Sequence, residues 1–390
     1  MPSRTLRSCH SVAIAFVFCA IMIGARYQPA HAQIPIYSGF PVLRYSPSAA
    51  ANGMGGGFVA AGAEASAIYY NPAALTRCGR MALEGNTFKL FPQEDWENFR
   101  FSHLAAAVRL NWRNGLWLGA AYTRVGLGQY VITGESTPDI LGVVEPYEWS
   151  LAFAAAIKAG AHARFGVGFK YLRLVPHPGL PPTAQKLADH FSGYGFDLGF
   201  LYDGFLSNLH ASPASLRKTL PWSKWTQERL PPGFSFGVTL ANLGAQVEFI
   251  DAAQQEPLPQ SLRLGLAWNI LESELVSVAA TGEMNKSLVK YKDNGEAESA
   301  LPGIFTAWSD QSIRDEFSEA IYNGGLEVKL LHLAAIRYGR HWDGRNIYGY
   351  NTVGYSIGPS LLQFSVANFF NEGRSFQTFY SLTIDLDKLL

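Results

Sequence analysis

Charged residues and cysteine are both scarce in this sequence. Asp, Glu, Lys and Arg together account for 16% of its 390 residues, against roughly 25% in ordinary soluble domains. The 31 basic and 31 acidic groups balance, so the composition gives no reason to expect nucleic acid as a partner. Of the three cysteines, Cys9 and Cys19 fall in a segment that we expect to be removed, which leaves Cys78. Because a single thiol cannot form an internal disulfide, a disulfide framework is excluded.

Long apolar runs are also missing beyond the N-terminus. An apolar run at residues 12–25 follows a basic start and precedes the small-residue step Ala30-His31-Ala32. This order predicts a secretory signal peptide over residues 1–32, with cleavage after Ala32. No later segment reaches 18 consecutive apolar residues, which excludes a membrane-spanning helix. The sequence therefore predicts an exported protein.

Patterns that carry enzyme chemistry are absent or incomplete. Residues 354–358 (GYSIG) match the G-x-S-x-G nucleophile motif, but another alternating segment follows and no histidine occurs after His341, so the partners of a catalytic serine are lacking. The glycine cluster at residues 53–57 has Phe58 where a dinucleotide loop needs its third glycine. The histidines are scattered, without a pair at i, i+4. We predict no enzyme, no metal site and no cofactor.

What the sequence does contain is a repeated two-residue alternation. In residues 261–270 (SLRLGLAWNI) every second residue is large and apolar, and the same pattern recurs in residues 164–171, 194–202 and 234–240. A period of 2 places alternate side chains on opposite faces of a strand. Each run has about ten residues, the length of a tilted strand that crosses a bilayer. The candidate strands are residues 80–91, 100–111, 115–125, 147–159, 162–174, 191–203, 232–241, 260–271, 274–284, 322–331, 332–341, 349–358, 361–370 and 376–386.

These candidate strands predict an all-β fold, a transmembrane antiparallel β-barrel of about 14 strands over residues 80–390. An even strand count is expected of a single-chain bacterial barrel in the outer membrane, and closure leaves no sheet edge unpaired in hydrocarbon. The second face, built from Gly, Ser, Ala and a few charges, suits an enclosed interior. Aromatic residues near strand ends, among them Trp117, Trp149 and Phe369, match interfacial girdles. The alternative is a soluble β-sandwich, whose strands are mostly shorter.

The connections between the candidate strands differ in length. In outer-membrane barrels short turns face the periplasm and long loops face outside, so we expect the long connections on the outside. Within the last of them, residues 312–315 (SIRD) resemble a capping box, and apolar residues follow at helical spacing. We expect a short amphipathic helix that packs on its own loops, covers the pore mouth or meets a partner. The long connections are residues 126–146, 174–190, 203–231 and 285–321.

The stretch before the first strand carries the most specific pattern. Residues 44–75, which include NGMGGGFVAAGAEASAIYYNPAAL, resemble the N-terminal signature of the FadL-like outer-membrane proteins, and most closely their PorV/PorQ branch. Residues 257–265 (PLPQSLRLG) and 283–289 (EMNKSLV) are similar to strand motifs of that branch. The matching positions are Gly53, Gly55, Gly56, Gly57, Phe58, Tyr69, Tyr70, Asn71 and Pro72 in the first stretch, and Pro259, Leu262, Arg263, Gly265, Asn285 and Lys286 in the strand motifs.

The resemblance implies a fourteen-stranded barrel whose N-terminal segment, residues 33–79, folds inward as a hatch. The four glycines would permit tight turns inside a crowded interior. Pro72, which lacks an N–H and has a fixed φ, would end the segment before the first strand. The alternative is an ordinary flexible lead-in peptide.

Two functions follow from the resemblance. The PorV/PorQ branch implies an outer-membrane component of type IX secretion, with secretion-system proteins and the C-terminal signal domains of exported cargo as partners. Residues 203–231 and 285–321 would then be contact surfaces, and the two strand motifs favour this function. The wider superfamily implies instead a channel for long-chain fatty acids or other hydrophobic small molecules. In that case the hatch would gate an apolar pocket that includes Phe58, Tyr69 and Tyr70.

Overall fold

The computed structural model describes most of the chain after residue 39. The predicted signal peptide over residues 1–32 and the beginning of the predicted hatch lie outside the described residues. The described ranges are residues 40–94, 98–112, 115–133, 140–176, 190–211, 230–248, 255–273, 275–291, 297–308, 312–344, 349–359, 361–371 and 374–388.

Fourteen strands form a closed antiparallel barrel, which confirms the predicted fold class. Each predicted strand ends within about three residues of the observed bounds. The barrel strands are β1 (Met81–Lys89), β2 (Arg100–Leu110), β3 (Leu116–Gly126), β6 (Tyr147–Ala159), β7 (Ala163–Val175), β8 (Phe191–Phe205), β9 (Gly233–Leu243), β12 (Ser261–Glu272), β13 (Val276–Ser287), β14 (Ile321–Leu330), β15 (Ala334–Asp343), β16 (Gly349–Ile357), β17 (Leu362–Asn371) and β18 (Arg374–Asp385).

The barrel closes because its first and last strands pair with each other. Gly85 of β1 lies opposite Leu382 of β18 in an antiparallel register, and the remaining strands pair with their neighbours in chain order. Two small hairpins lie outside the barrel, β4 (Tyr130–Thr133) with β5 (Ile140–Val144) and β10 (Val247–Glu248) with β11 (Gln255–Glu256). We did not predict these hairpins from the sequence.

Side chains alternate between the interior of the barrel, which we call the lumen, and the outside. In β3, Trp117, Ala121 and Val125 are buried while Leu118 and Tyr122 are exposed. Polar side chains turn inward on most strands, whereas the outer surface carries large apolar residues, as lipid contact requires. The outward apolar residues include Leu104, Phe153, Phe165, Val167, Phe196, Leu198, Ile336, Tyr355 and Phe364.

The two ends of the barrel differ in the length of their connections. At one end, the short-turn end, five connections between consecutive strands span five residues or fewer. The chain enters β1 and leaves β18 at this same end. We call the opposite end, where the β3–β6, β7–β8, β9–β12 and β13–β14 connections lie, the long-loop end. Short turns face the periplasm in outer-membrane barrels.

One predicted loop lies at the wrong end. We grouped residues 203–231 with the outside loops, but β8 ends and β9 begins at the short-turn end. Of this stretch, residues 212–229 lie outside the described residues. The prediction was wrong because it used loop length, whereas the side is set by strand parity. Each antiparallel strand reverses the direction of the chain, and the sixth barrel strand ends where the first begins.

Some of the predicted girdle residues lie on the outer surface of the barrel and others do not. On the outside toward the long-loop end, the rings of Tyr122, Trp149 and Tyr171 contact one another, with centroids 6.3 Å and 5.4 Å apart. Trp117 and Phe369, which we assigned to girdles, instead face the lumen and are buried. Their positions on the inward parity of β3 and β17 decide this, since neighbouring inward residues are small or polar.

The described residues contain four short α-helices: α1 (Ala49–Gly53), α2 (Ala67–Tyr70), α3 (Ala300–Thr306) and α4 (Ile313–Glu319). None of the helices in the described part of the chain is long and apolar enough to span a membrane. The predicted helix after Ser312 is confirmed as α4, since the Ser312 hydroxyl accepts a hydrogen bond from Asp315 N. α3 was not predicted.

Candidate functional site

Residues 40–80 precede β1 and lie inside the lumen. Almost all side chains between Ala49 and Thr76 are buried, and α1 packs against β15, β16, β17 and β18. Ser48 caps α1, because its hydroxyl accepts a hydrogen bond from Ala51 N at 3.4 Å. We call residues 40–80 the N-terminal segment. It is therefore a packed part of the barrel interior and not a flexible lead-in.

Three carboxylates of the barrel wall accept hydrogen bonds from backbone N–H groups of the N-terminal segment. Glu148 accepts from Val42 N at 2.9 Å, and Glu84 accepts from Ser66 N at 2.8 Å. Glu283 Oε2 accepts from two successive groups, as described below. A buried N–H without a ladder partner needs an acceptor. The carboxyl groups of the wall thus replace the carbonyl acceptors that a sheet or a helix would provide.

The glycine-rich turn, residues 53–59, forms hydrogen bonds to the wall through Glu283, Thr281 and Thr352. Glu283 accepts from Phe58 N at 2.9 Å and from Val59 N at 3.1 Å. Thr352 Oγ1 donates to Gly53 O at 3.0 Å and accepts from Gly55 N at 3.1 Å. These contacts join the turn to β13 and β16, which are separated by β14 and β15 in the barrel.

The four predicted glycines have different roles. Gly55 and Gly56 adopt positive φ, +72° and +93°, so the expected tight turn is present there. Gly53 lies in α1 close to Gly354 of β16, where an added Cβ would approach Gly354 Cα at 2.9 Å. Gly57 has neither property, but its carbonyl accepts a hydrogen bond from Thr281 Oγ1 at 2.9 Å. The cluster combines a turn with close backbone approach to the wall.

Phe58, Tyr69 and Tyr70 pack against one another. The ring centroids of Phe58 and Tyr70 are 5.3 Å apart, and those of Tyr69 and Tyr70 are 4.9 Å apart. The Tyr69 hydroxyl donates to Leu43 O at 3.0 Å, and the Tyr70 hydroxyl accepts from Ser48 N at 3.2 Å. Burial raises the pKa of both tyrosines, so both hydroxyls stay protonated. The three rings form a packed core inside the lumen.

Asn71 and Pro72 begin a helix instead of ending the segment. Asn71 Oδ1 accepts from Ala73 N at 3.0 Å, and Pro72 is the first residue of a 3₁₀ helix, Pro72–Arg77. Asn and Pro are favoured at these two positions because the first N–H groups of a helix lack intrahelical partners. The Asn71 amide also donates to Phe200 O of β8 at 3.0 Å. The expectation that Pro72 terminates the segment was wrong.

The end of the N-terminal segment is held by an ion pair with the wall. Arg77 Nη1 donates to Ala60 O at 2.6 Å, and the same guanidinium pairs with Asp203 of β8. Asp203 also pairs with Arg164 of β7. Sequence reasoning missed this anchor. Its signal was two charges of opposite sign on the inward parity of β7 and β8.

The predicted strand motifs separate in space. Arg263 and Gly265 face the N-terminal segment: the Arg263 guanidinium lies 5.1 Å from the Tyr69 ring centroid, and a Cβ on Gly265 would lie 3.0 Å from Ala60 N. Leu262 falls on the outward parity. Pro259, Asn285 and Lys286 lie at the long-loop end. The structure thus brings only part of each motif to the N-terminal segment.

Lys286 connects the wall to helix α4. Its Nζ lies 2.5 Å from Glu316 Oε2, and both side chains are buried. Beside this anchored helix, apolar residues are exposed: Leu301 and Phe305 on α3 and Phe317 on α4 are 70%, 78% and 45% exposed. The helices therefore present apolar surface at the long-loop end.

An apolar cluster fills the lumen toward the long-loop end, and we call it the outer apolar cluster. The ring centroids of Phe88 and Phe101 are 4.6 Å apart, and those of Phe369 and Phe379 are 4.5 Å apart. Sequence reasoning missed this cluster, although all four rings fall on the inward parity of their strands. Its principal members are Phe88, Phe101, Phe369 and Phe379 from the wall and Phe40, Val42 and Leu43 from the N-terminal segment.

These features define the class of protein. A closed barrel of 14 strands, with an apolar outer surface and a largely polar lumen that holds an N-terminal segment, has the architecture of an outer-membrane β-barrel. No protein-family model matches the sequence, and no curated protein matches it.

Solved structures with a similar chain path include a transporter and a channel. The chain is similar to the Pseudomonas putida toluene transporter TodX, with 13% identity, a TM-score of 0.45, and coverage of 90% of this chain and 98% of that chain. A TodX deletion mutant, described as a monoaromatic hydrocarbon channel, shares 13% identity with a TM-score of 0.47, covering 86% and 96%. A Pseudomonas aeruginosa FadL homologue shares 11% identity with a TM-score of 0.42, covering 90% and 99%. These similarities concern the fold and not the molecules that those proteins transport.

Proposed function

We propose that the protein is an outer-membrane channel for hydrophobic small molecules, in which the N-terminal segment, within residues 33–79, acts as a hatch. The observation that carries this proposal is the outer apolar cluster. Its four wall rings face the interior of a barrel whose other inward residues are mostly polar or small. Exposure of such rings to a water-filled lumen would cost roughly 25 cal/mol of free energy for each Å² of apolar area. Inward rings are therefore favourable only where an apolar group covers them.

In the structure, the N-terminal segment covers these rings. Tyr45 packs edge-on against Phe88 and Phe101, each with a centroid separation of 6.1 Å, and Phe40, Val42 and Leu43 complete the cover. The backbone of this part is held at Val42 N by Glu148. A displacement of residues 40–45 would expose an apolar surface open to a hydrophobic molecule. The ligand would replace the contacts that the segment gives up.

On the proposed route of a ligand through the lumen, the core of Phe58, Tyr69 and Tyr70 follows the outer apolar cluster. Because these rings are packed together and Tyr69 is bonded to Leu43 O, movement of residues 40–45 is coupled to them. Passage through the barrel then requires the hatch to move away from the wall. The predicted gating pocket is thus a site that opens on displacement.

The test is a pair of substitutions on one strand. Phe369→Ala removes an inward ring of the outer apolar cluster, and we expect saturable binding of the neutral apolar fluorophore N-phenyl-1-naphthylamine to weaken roughly tenfold or more, since burial of such a ring stabilises by roughly 1.5–3 kcal/mol. Phe364→Ala removes an outward ring of the same strand and should leave binding unchanged. Equal binding by both variants, or no saturable binding by the parent, would contradict the proposal.

A second candidate function is a platform for exported cargo, as the PorV/PorQ resemblance implies. It is favoured by the exposed apolar residues of α3 and α4, which lie in one of the two loops that we predicted as contact surfaces. This finer assignment rests on the sequence resemblance together with that surface.

A pulldown from outer membranes separates the two functions. If the protein is a cargo platform, proteins with C-terminal signal domains should copurify with it. Leu301→Ser combined with Phe305→Ser should reduce their recovery at least severalfold, because both exposed side chains would lose apolar contact area. Tyr130→Ser, at an exposed residue of the β4–β5 hairpin at the same end, is the matched control. Absence of such cargo from the parent pulldown rules the platform out.

A further inference from the structure

A cavity of about 360 Å³ lies at the short-turn end. It is bounded by the end of the N-terminal segment, by the rims of β2, β3, β6 and β7, and by the last residues of the β8–β9 connection. Its size falls within the range of small-molecule sites, roughly 300–1,000 Å³. The lining residues that bear on its chemistry are Arg77, Arg80, Arg109, Trp117, Lys158 and Arg164.

Positive charge exceeds negative charge around this cavity. Of the five lining cations, Arg77 and Arg164 share one carboxylate, that of Asp203. Asp387 is the acidic residue on the lining. Among the described residues, no carboxylate forms an ion pair with Arg80, Arg109 or Lys158. Positive charges around the cavity therefore outnumber negative charges by at least two.

Two of these cations are held in position by a single indole. The Arg109 guanidinium carbon lies 5.1 Å from the Trp117 ring centroid, and Lys158 Nζ lies 5.0 Å from the same centroid. Trp117 is itself fixed, because it is buried and its Nε1 donates to Cys78 O at 3.1 Å. The face of an aromatic ring attracts a cation that lies within about 6 Å of its centroid. The two donors consequently lie close to the same ring at the cavity wall.

We infer that this cavity binds an oxyanion, a carboxylate or phosphate group, through Arg109 and Lys158 with Arg80 beside them. Arginine and lysine are the side chains that recognise such groups, by charge-assisted hydrogen bonds. The cavity holds more than a bare ion, so it also accommodates part of an organic group attached to the anion. This inference does not depend on the proposed transport of neutral hydrophobic molecules, since the outer apolar cluster lies toward the other end of the lumen.

The oxyanion has two possible sources, a small free anion and the head group of an anionic amphiphile. Calorimetric titration of the full-length protein in a non-ionic detergent distinguishes them when inorganic phosphate, octanoate and 1-octanol are compared. Binding of phosphate identifies a site for free anions, whereas binding of octanoate without phosphate identifies a site that also needs an apolar chain. In both cases the affinity should fall as salt is added, because the site is charged.

The decisive variant is Arg109→Gln combined with Lys158→Gln. We expect it to bind the anion at least tenfold more weakly, since two charge-assisted hydrogen bonds are lost, while any binding of 1-octanol stays the same. Arg100→Gln is the matched control, because Arg100 is an exposed arginine at the opposite end of the same strand as Arg109. Heat-modifiable migration on a gel verifies that each barrel is folded. The inference is overturned if neither anion binds the parent, or if the double variant and the control lose affinity equally.

Discussion

Gly55→Ala is expected to force the glycine-rich turn away from the barrel wall. The residue has a φ of +72°, which costs an L-residue roughly 1–2 kcal/mol. In addition, a Cβ would lie 2.5 Å from Arg340 O and 2.8 Å from Gly324 O. These are backbone atoms of β15 and β14, and they cannot rotate aside. Overpacking of this kind adds about 1–3 kcal/mol, so we expect the attachment of the turn to weaken by roughly 2–5 kcal/mol.

Hydrogen exchange measured by mass spectrometry reports this displacement. Peptides that cover residues 53–59 should exchange at least tenfold faster in Gly55→Ala, while peptides from β6 and β7, on the other side of the barrel, should be unchanged. Gly56→Ala is the matched control. It also replaces a glycine at positive φ, but its Cβ would lie 3.6 Å from the nearest Asn323 atom. If both variants accelerate exchange equally, backbone strain accounts for the effect and the close approach to the wall has no separate role.

The strands were predictable because a membrane barrel imposes its period on the sequence locally. Each strand must place apolar residues toward lipid and small or polar residues toward the lumen, whatever its partners are. The alternation in residues 261–270 is therefore readable without any knowledge of β9 or β13. The side on which residues 203–231 lie is a different kind of fact, because it depends on counting every preceding strand.

The aromatic residues show where residue type misleads. Trp117 and Phe369 are suited to an interfacial girdle, and type alone assigned them there. Their parity within the strand contradicts this, since Trp117 shares its face with Gly119 and Ala121. Giving parity more weight than residue type would have placed both side chains in the lumen. It would also have revealed the outer apolar cluster.

The partners of the N-terminal segment were not predictable from the sequence. The glycine motif indicated a segment folded into the lumen, but nothing in it specifies which wall residue receives each N–H group. Glu148 is 106 residues from Val42, and Glu283 is 225 residues from Phe58. Every residue except proline has a backbone N–H, so the sequence does not indicate which of these groups bonds to the wall. The available signal is the carboxylate itself, since an inward glutamate among small residues must find a donor.

Glu283→Ala is expected to release the centre of the N-terminal segment. One carboxylate oxygen accepts from both Phe58 N and Val59 N, and a buried group left without its partner costs about 1–3 kcal/mol. The substitution also removes a side chain that interacts electrostatically with buried Arg263. A loss of about 3 kcal/mol corresponds to roughly a hundredfold change in an opening equilibrium. Hydrogen exchange of peptides containing Phe58 and Val59 should rise by about that factor.

Glu148→Ala is the comparison variant for this experiment. It removes the acceptor of a single N–H, that of Val42, near the beginning of the N-terminal segment. If the segment opens in parts, each variant accelerates exchange only near its own contact, because the remaining wall contacts still hold. If the segment leaves the barrel as a rigid unit, both variants accelerate exchange throughout residues 40–75. Unchanged exchange at residues 58–59 in Glu283→Ala would mean that Thr281 and Thr352 hold the turn without the carboxylate.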